Sequence, residues 1–321
     1  MSISVKTTLS LSMSNSYSLI IHGGAGALED LKYEADATEF KENVLEILEM
    51  GRQRLEKGDS ALDVVEFCVN LLEDNPLYNA GKGSVLNENG QVEMDAALMN
   101  GHDLKAGAVT CVKNIKNPIS LARQVLEQGD HVMLAGEGAQ EFAKYCNAAQ
   151  CPDDYFITPA RVKQLEEAKA AGRMTLDHEK IKPSQKLGTV GAVAQDIHGN
   201  LAAATSTGGL VNKRWGRVGD TPVVGAGVFA DNETCGVSAT GYGEQFLRTV
   251  FSKTVSDFVQ FKGMSAAEAA KAGVQYLVDK VNGEGGVIVI DAQGRCAAAQ
   301  STSGLIHGWI ESGGEAVCKL G

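Results

Sequence analysis

Apolar positions along this chain keep two different periods, and the switches between them mark the elements. Leu19 to His22 is a short apolar run that reads as a strand leading into the turn Gly23-Gly24-Ala25-Gly26. Phe40, Val44, Ile47, Leu48 and Leu55 follow at helical spacing until Gly58 ends the stripe. Ser60-Ala61-Leu62-Asp63 matches a capping box, and the apolar run behind it to Leu72 predicts a largely buried helix. Met94 to Met99 and Ala106 to Val112 are strand-like, whereas Pro118 to Glu127 and Gly138 to Tyr145 have helical patterns.

The pattern changes at about residue 152. Arg161 to Arg173 is charged and helix-prone, and Thr175 to Lys186 has few apolar anchors, so 152–188 reads as an exposed, partly disordered linker. It ends at Gly188-Thr189, where Val190 to Ala194 begins an apolar strand. Asp196-Ile197-His198-Gly199-Asn200 is a turn, and Leu201 to Thr205 returns as a second strand, which makes a β-hairpin. That hairpin brings Ser206-Thr207-Gly208-Gly209 back beside Thr189. A repeat is also visible: Asp196-x-x-Gly199-x-x-Ala202-Ala203-Ala204-x-Ser206-Thr207 recurs as Asp291-x-x-Gly294-x-x-Ala297-Ala298-Ala299-x-Ser301-Thr302. The simplest reading is two hairpins of one antiparallel sheet, of which only the first opens on a Thr after a linker. Hairpins flanked by helices suggest sheets held between helical layers.

Composition narrows the function classes. The 321 residues fit one large or two ordinary domains, and 44% hydrophobic content supports a substantial core. A net charge of −11 argues against nucleic acid as a partner, since phosphates demand a basic face. No apolar run approaches the roughly 18 residues of a membrane span, and Ser/Thr-rich residues 1–16 lack the apolar core of a signal peptide and read as a tail. The seven cysteines form no C-x-x-C pair or metal cluster with the histidines, and settings such as Phe67-Cys68-Val69 and Thr110-Cys111-Val112 suggest buried, reduced thiols. Cytoplasmic residence follows as an expectation.

The candidate chemistry sits at the linker-to-strand junction. A Thr hydroxyl is a weak nucleophile unless a base takes its proton. Cleavage between Gly188 and Thr189 would free an α-amine on the same residue, with an ordinary pKa of about 7.7–8.0, so Thr189 would carry nucleophile and base together. Downstream lie Gly216-Arg217-Val218-Gly219-Asp220 and Ala239-Thr240-Gly241-Tyr242-Gly243-Glu244. Arg217 suits a substrate α-carboxylate, which its planar fork can hold bidentately, and Asp220 suits an α-ammonium. His22 belongs to no phosphate-binding loop, because no G-K-[ST] follows it, and reads as structural.

Together with His22-Gly23-Gly24-Ala25-Gly26 and Asn79-Ala80-Gly81-Lys82-Gly83, these motifs resemble the plant-type asparaginase and isoaspartyl-peptidase family, from about Leu19 to Gly304. That family belongs to the N-terminal-nucleophile hydrolases. The resemblance implies an α+β fold, a four-layer αββα sandwich with two antiparallel sheets between helical layers. It implies self-cleavage into a heavy subunit, residues 17–188, and a light subunit, 189–321, of one domain, assembled as a heterotetramer. The expected activity is hydrolysis of L-asparagine and β-aspartyl dipeptides. Thr189 would attack, Thr207 orient it, Thr240 and Gly241 stabilise the oxyanion, and Asn79 supply a further donor. Arg217, Asp220, Gly241 and Gly243 would hold substrate. No cofactor is expected for the chemistry. A structural sodium would take main-chain oxygens of Leu72, Glu73, Asn75, Tyr78, Ala80 and Lys82, and potassium dependence stays open.

Three other readings compete. A glycosylasparaginase typically has an acidic residue beside its nucleophile in a D-T-I-G-like pattern, from which Gly188-Thr189-Val190-Gly191 departs. A taspase-like endopeptidase needs a larger protein-binding surface or a long insertion than 321 residues readily supply. A Gly-rich binding module would lack any reason for the Thr, Arg and Asp set.

Overall fold

Residues 16–26, 35–170 and 188–321 are described by the structure, a computed structural model. The first half contains β1 (Ser18–Gly26), α1 (Ala35–Glu56), α2 (Ala61–Asp74), β2 (Met94–Asn100), β3 (Ala106–Val112), α3 (Pro118–Gln128), β4 (Met133–Ala135), α4 (Gly136–Tyr145), α5 (Asp153–Phe156) and α6 (Pro159–Ala170). The second contains β5 (Val190–Gln195), β6 (Leu201–Thr207), β7 (Val228–Ala230), β8 (Cys235–Gly241), α7 (Gly243–Thr249), α8 (Phe251–Lys262), α9 (Ala266–Val281), β9 (Gly285–Asp291), β10 (Cys296–Gln300), β11 (Gly304–Glu311) and β12 (Val317–Lys319). The fold is α+β, with an eight-stranded sheet ordered β12-β11-β1-β5-β6-β2-β3-β4 and a four-stranded sheet ordered β10-β9-β8-β7.

Strand alternation assigns each residue to one of three apolar clusters. Leu19, Ile21, Ala192, Ala194, Ala202 and Ala204 pack with α1, α2 and α3. Their neighbours Ile20, Val193, Leu201 and Ala203 point the other way, onto Ile288 and Ile290 of the smaller sheet. Val287 and Val289 in turn face Phe251, Ala270 and Leu277 of α8 and α9. Strands buried on both faces read as near-continuous apolar runs, which is how β5, β6 and β9 stand in the sequence.

Four expectations need correction. The glycines after His22 form no turn: β1 continues to Gly26, paired with β11 across an irregularity between His22 and Gly24. The larger sheet is not wholly antiparallel, since β4 pairs parallel to β3 after the α3 crossover. The supposed exposed linker opens instead with α5 and α6, whose Phe156, Arg161 and Leu165 are buried; the rest of it, 171–187, lies outside the described residues, as does the tail through residue 15. All seven cysteines are free thiols, but only Cys68 and Cys235 are fully buried.

The repeat spans both sheets rather than one. Asp196 accepts from the backbone N–H groups of His198 and Asn200 at 2.9 and 3.0 Å, closing the β5–β6 turn, and from Ala61 N at 3.1 Å. Asp291 accepts from Gln293 and Arg295 N–H, both at 3.1 Å, and from Ala266 N at 3.0 Å. Each aspartate thus ties a hairpin turn to the first residue of a helix, α2 or α9, whose N-cap is a serine. The helix end gains a carboxylate against its unpaired N–H groups. Ser60 caps through Asp63 N at 3.2 Å, but Asp63 returns its carboxylate to the Ser60 hydroxyl rather than to the backbone.

Because both carboxylates are buried and satisfy three backbone donors, Asp196→Ala and Asp291→Ala should each cost about 2–4 kcal/mol. Urea unfolding in a Thr189→Ala background, kept as one chain, measures it; losses under about 0.5 kcal/mol would contradict the shared role.

Candidate active site

The β5–β6 register sets the centre of the site. Val190 pairs with Ser206, which leaves Thr189 and Thr207 side by side at the strand ends. Thr189 Oγ1 donates to Thr207 Oγ1 at 3.2 Å, and Gly209 N donates to the same Thr207 oxygen at 3.0 Å. From the smaller sheet, Thr240 Oγ1 accepts from Thr189 N at 3.2 Å and from Ala25 N at 3.3 Å. A hydroxyl has two lone pairs and one proton. With both lone pairs engaged, the Thr240 proton is free to face whatever charge develops nearby.

A small pocket joins these groups to the clamp, lined by Gly188, Thr189, Thr207, Arg217, Asp220 and Gly241 among others. Gly241, at the end of β8, and Gly243, at the start of α7, stand beside Thr240 and the clamp. A Cβ on Gly243 would lie 2.8 Å from Arg217 Nη2 and 2.9 Å from Asp220 Oδ1, so only glycine lets both charges reach that backbone. A wider groove between α3 and α4, lined by Val125, His131, Phe142 and Tyr145, contains none of these groups.

Arg217 takes a counter-ion that the sequence expectation did not include. Arg217 does not pair with Asp220: its Nε and Nη2 donate to Glu244 Oε1 and Oε2, both at 2.8 Å. Burial works against the guanidinium charge, yet Glu244 holds the Arg217 pKa above its ordinary value. Glu244, half-buried, is raised by desolvation but lowered more by Arg217, and stays ionised. Nε and one Nη2 hydrogen are so used, and the guanidinium has three further N–H donors. Asp220 is buried, makes no ion pair among the described residues, and leaves Oδ2 without a partner. Desolvation pushes its carboxyl up to about 7, with Arg217 pulling the other way. Such a group is poised to take a cation.

Asn79 also differs from expectation. Its Nδ2 donates to Gly209 O at 2.9 Å and its Oδ1 accepts from Val85 N at 2.9 Å, while its carbonyl accepts from Gly208 N at 3.0 Å. It braces the turn after Thr207, and no hydrogen bond joins it to Thr189. His22 is buried, its Nε2 2.9 Å from Ser238 Oγ across the two sheets. Desolvation drives its pKa to about 3; the Thr189 main chain opposes that shift without reaching hydrogen-bond geometry at Nδ1. It is neutral and structural.

Sequence reasoning passed over two residues here. Glu244 stood in the quoted T-G-x-G-E motif, one carboxylate beside a cluster needing a counter-charge. Lys213 is buried, donates from Nζ to Glu93 O at 2.6 Å, and abuts Gly209; desolvation lowers its pKa, with Asp95 and Glu93 opposing. Its place among Asn212, Arg214 and Arg217 read as a solvated polar turn, so no local signal marked it as buried.

The 72–82 loop suits main-chain coordination of a hard cation. A Cβ on Gly81 (φ +51°) would sit 2.3 Å from Glu73 O, and one on Gly83 would lie 2.4 and 2.6 Å from Tyr78 O and Pro76 O. Glu73 O and Tyr78 O thus lie against a backbone without side chains, and main-chain oxygens are the donor type that hard cations take. Glu73 O also accepts from Lys82 N at 2.7 Å, and Asn75 O from Tyr78 N at 3.3 Å. The Glu73 carboxyl accepts from Ser206 Oγ at 2.6 Å, which ties this loop to the strand bearing Thr207.

The asparaginase family model matches residues 15–318, and the chain belongs to that family of hydrolases. An isoaspartyl peptidase of Salmonella typhimurium is 45% identical, covering 92% of this chain and 95% of the relative. An isoaspartyl peptidase/L-asparaginase of Bos taurus is 42% identical over 94% and 98% of the two chains. A plant-type L-asparaginase of Pyrococcus horikoshii is 43% identical over 92% and 97%.

Asp220 sets a pH expectation. Below about 7 the carboxyl gains a proton and loses its charge, so it would no longer attract a cationic group such as an α-ammonium. KM for an α-ammonium substrate should therefore rise as pH falls from about 8 to about 6, measured relative to Asp220→Asn, whose KM should be higher and flat. A wild-type KM that does not change over this range would contradict the assignment.

Proposed function

We propose that this chain is a self-cleaving threonine hydrolase that opens the side-chain amide of L-asparagine and the isopeptide bond of β-aspartyl dipeptides. One observation carries the reading: Thr189, directly after Gly188, has its nitrogen on Thr240 and its hydroxyl on Thr207, within the pocket that Arg217 and Asp220 line. The relatives' names supply the substrate class, and the clamp chemistry fits it.

Cleavage proceeds by attack of Thr189 Oγ1 on the Gly188 carbonyl, transfer of the acyl group from N to O, and hydrolysis of the resulting ester. The freed amine then takes the proton from Thr189 Oγ1 as that oxygen attacks the substrate carbonyl. The Thr240 hydroxyl and the Gly241 backbone N–H face the oxyanion. Collapse passes the proton to the departing amine and leaves an aspartyl ester on Thr189, which water hydrolyses with the α-amine again as base. Arg217 and Asp220 hold the α-carboxylate and α-ammonium of the aspartyl residue. Asn79 has a bracing part rather than an electrophilic one.

The fold belonging to this reading is the four-layer αββα sandwich, supported by the three stacked clusters between helices and sheets. Residues up to 188 form the heavy subunit and 189–321 the light one, two of each making a heterotetramer in the cytoplasm. Na⁺ held by main-chain oxygens of the 72–82 loop would stiffen the segment that braces Thr207. No helix among the described residues is long and apolar enough to cross a membrane.

N-terminal sequencing of the smaller fragment should read Thr-Val-Gly-Ala; any other start refutes the cleavage point. Thr189→Ala should stay one band on a denaturing gel, as a binding module would. In processed enzyme, Arg217→Lys should raise KM for β-Asp-Leu about tenfold, losing the planar fork. Thr240→Ala should instead lower kcat about a hundredfold. Equal effects of the two changes on KM and kcat would contradict the division of labour.

A further inference from the structure

We propose that Trp215 is a specificity-determining residue, its indole forming the platform for the side chain of the residue released from a β-aspartyl peptide. The proposal rests on the hydrolase reading and names a narrower substrate class: β-aspartyl peptides whose released residue is bulky and apolar or aromatic.

Trp215 is 89% exposed, while the other tryptophan, Trp309, stacks on His307. It also has φ +55°, a left-handed conformation that a bulky residue adopts only under constraint. The residues around it supply that constraint. Lys213 is fixed to Glu93 O, Arg214 pairs with Glu88 at 3.2 Å, Gly216 O receives Cys111 Sγ at 3.7 Å, and Arg217 is forked onto Glu244. Each side of the loop is fastened, and the tryptophan projects from its crest. Strain of this kind gathers at ligand clamps.

Its location gives the exposure a purpose. Gly209 and Leu210 precede the crest and Arg217, Gly219 and Asp220 follow it, and all five line the pocket holding Thr189. Trp215 does not itself line the pocket; it stands outside it, in the short segment that joins the two lining runs and forms its rim. With the aspartyl α-groups held by Arg217 and Asp220 and the β-carbonyl at Thr189, the released residue has to leave through that rim. A flat apolar ring there can stack on an aromatic or aliphatic side chain without fixing its identity. Asparagine releases only ammonia and reaches no platform. Tyr145 and Phe261 are also exposed, but the segments around them contribute no residue to this pocket.

The test compares kcat/KM of processed enzyme on asparagine, β-Asp-Gly, β-Asp-Leu and β-Asp-Phe. Wild type should prefer β-Asp-Phe and β-Asp-Leu over β-Asp-Gly by about tenfold, mostly through KM. Trp215→Asn suits the left-handed backbone and removes the ring; it should level the three peptides while moving asparagine far less. Trp215→Phe should restore most of the preference. Wild type indifferent to the released residue overturns the proposal, even if a variant fails to process. Equal losses on peptides and asparagine would make Trp215 a loop residue only, and a lost dimer with unchanged selectivity would make it a contact between copies. Inactivity of wild type on all four substrates would instead overturn the hydrolase reading itself.

Discussion

The Thr240 hydroxyl is the joint on which the site depends. It stands on β8 of the smaller sheet and receives N–H groups from Ala25 and Thr189, both belonging to the larger sheet's strands or their ends. Two sheets that meet largely through apolar side chains are thereby registered by polar contacts, of which this one touches Thr189 itself. Apolar packing is non-directional and would tolerate sliding; two hydrogen bonds to one oxygen do not. The same joint fixes the nitrogen whose release as an amine the proposed chemistry requires.

Close approach is what makes that joint reachable. A Cβ on Gly191 would fall 2.0 Å from Ser238 Oγ and 2.5 Å from His22 Nε2. Ser238 in turn lies 2.8 Å from Thr205 Oγ1, whose proton goes to Gly227 O at 3.3 Å. A short buried polar chain therefore runs between the sheets just behind Thr189, and a neutral His22 suits it, since a charge there would go unpaired. Glu73 performs the matching task on the helical side, linking the end of α2 to Ser206 and to Ile119 N of α3 at 3.0 Å. Thr207 is held from both directions.

Elements with strong periodicity were legible in the sequence: α1 through Phe40, Val44 and Leu48, and the β5–β6 hairpin through its turn and flanking apolar runs. The Thr189–Thr207 encounter followed from that hairpin alone. Partnerships between distant segments were not legible. Arg217 and Asp220 were legible as candidate partners for two ends of one ligand, but the counter-ion was not: the fold gives the guanidinium to Glu244, on α7, and leaves Asp220 buried without an ion pair. Asn79 was expected as a donor from the family resemblance; its hydrogen bonds to Gly209 and Val85 depend on tertiary approach that no local pattern encodes. The aspartate repeat was readable as a turn, but not as a cap on a helix 135 residues earlier in one case and 25 in the other. Glycines after His22 read as a turn because glycine punctuates loops, whereas here they lie inside a strand.

The central claim is that Thr189 supplies both nucleophile and base at the junction of the two sheets. Acid-quenched turnover with β-Asp-Leu, followed by peptide mapping and mass spectrometry, addresses it directly. The account predicts a transient mass increase of one aspartyl group, as an ester on the first residue of the chain that begins at Thr189. An aspartyl adduct on any other residue, or burst kinetics with no adduct on that chain, would contradict it.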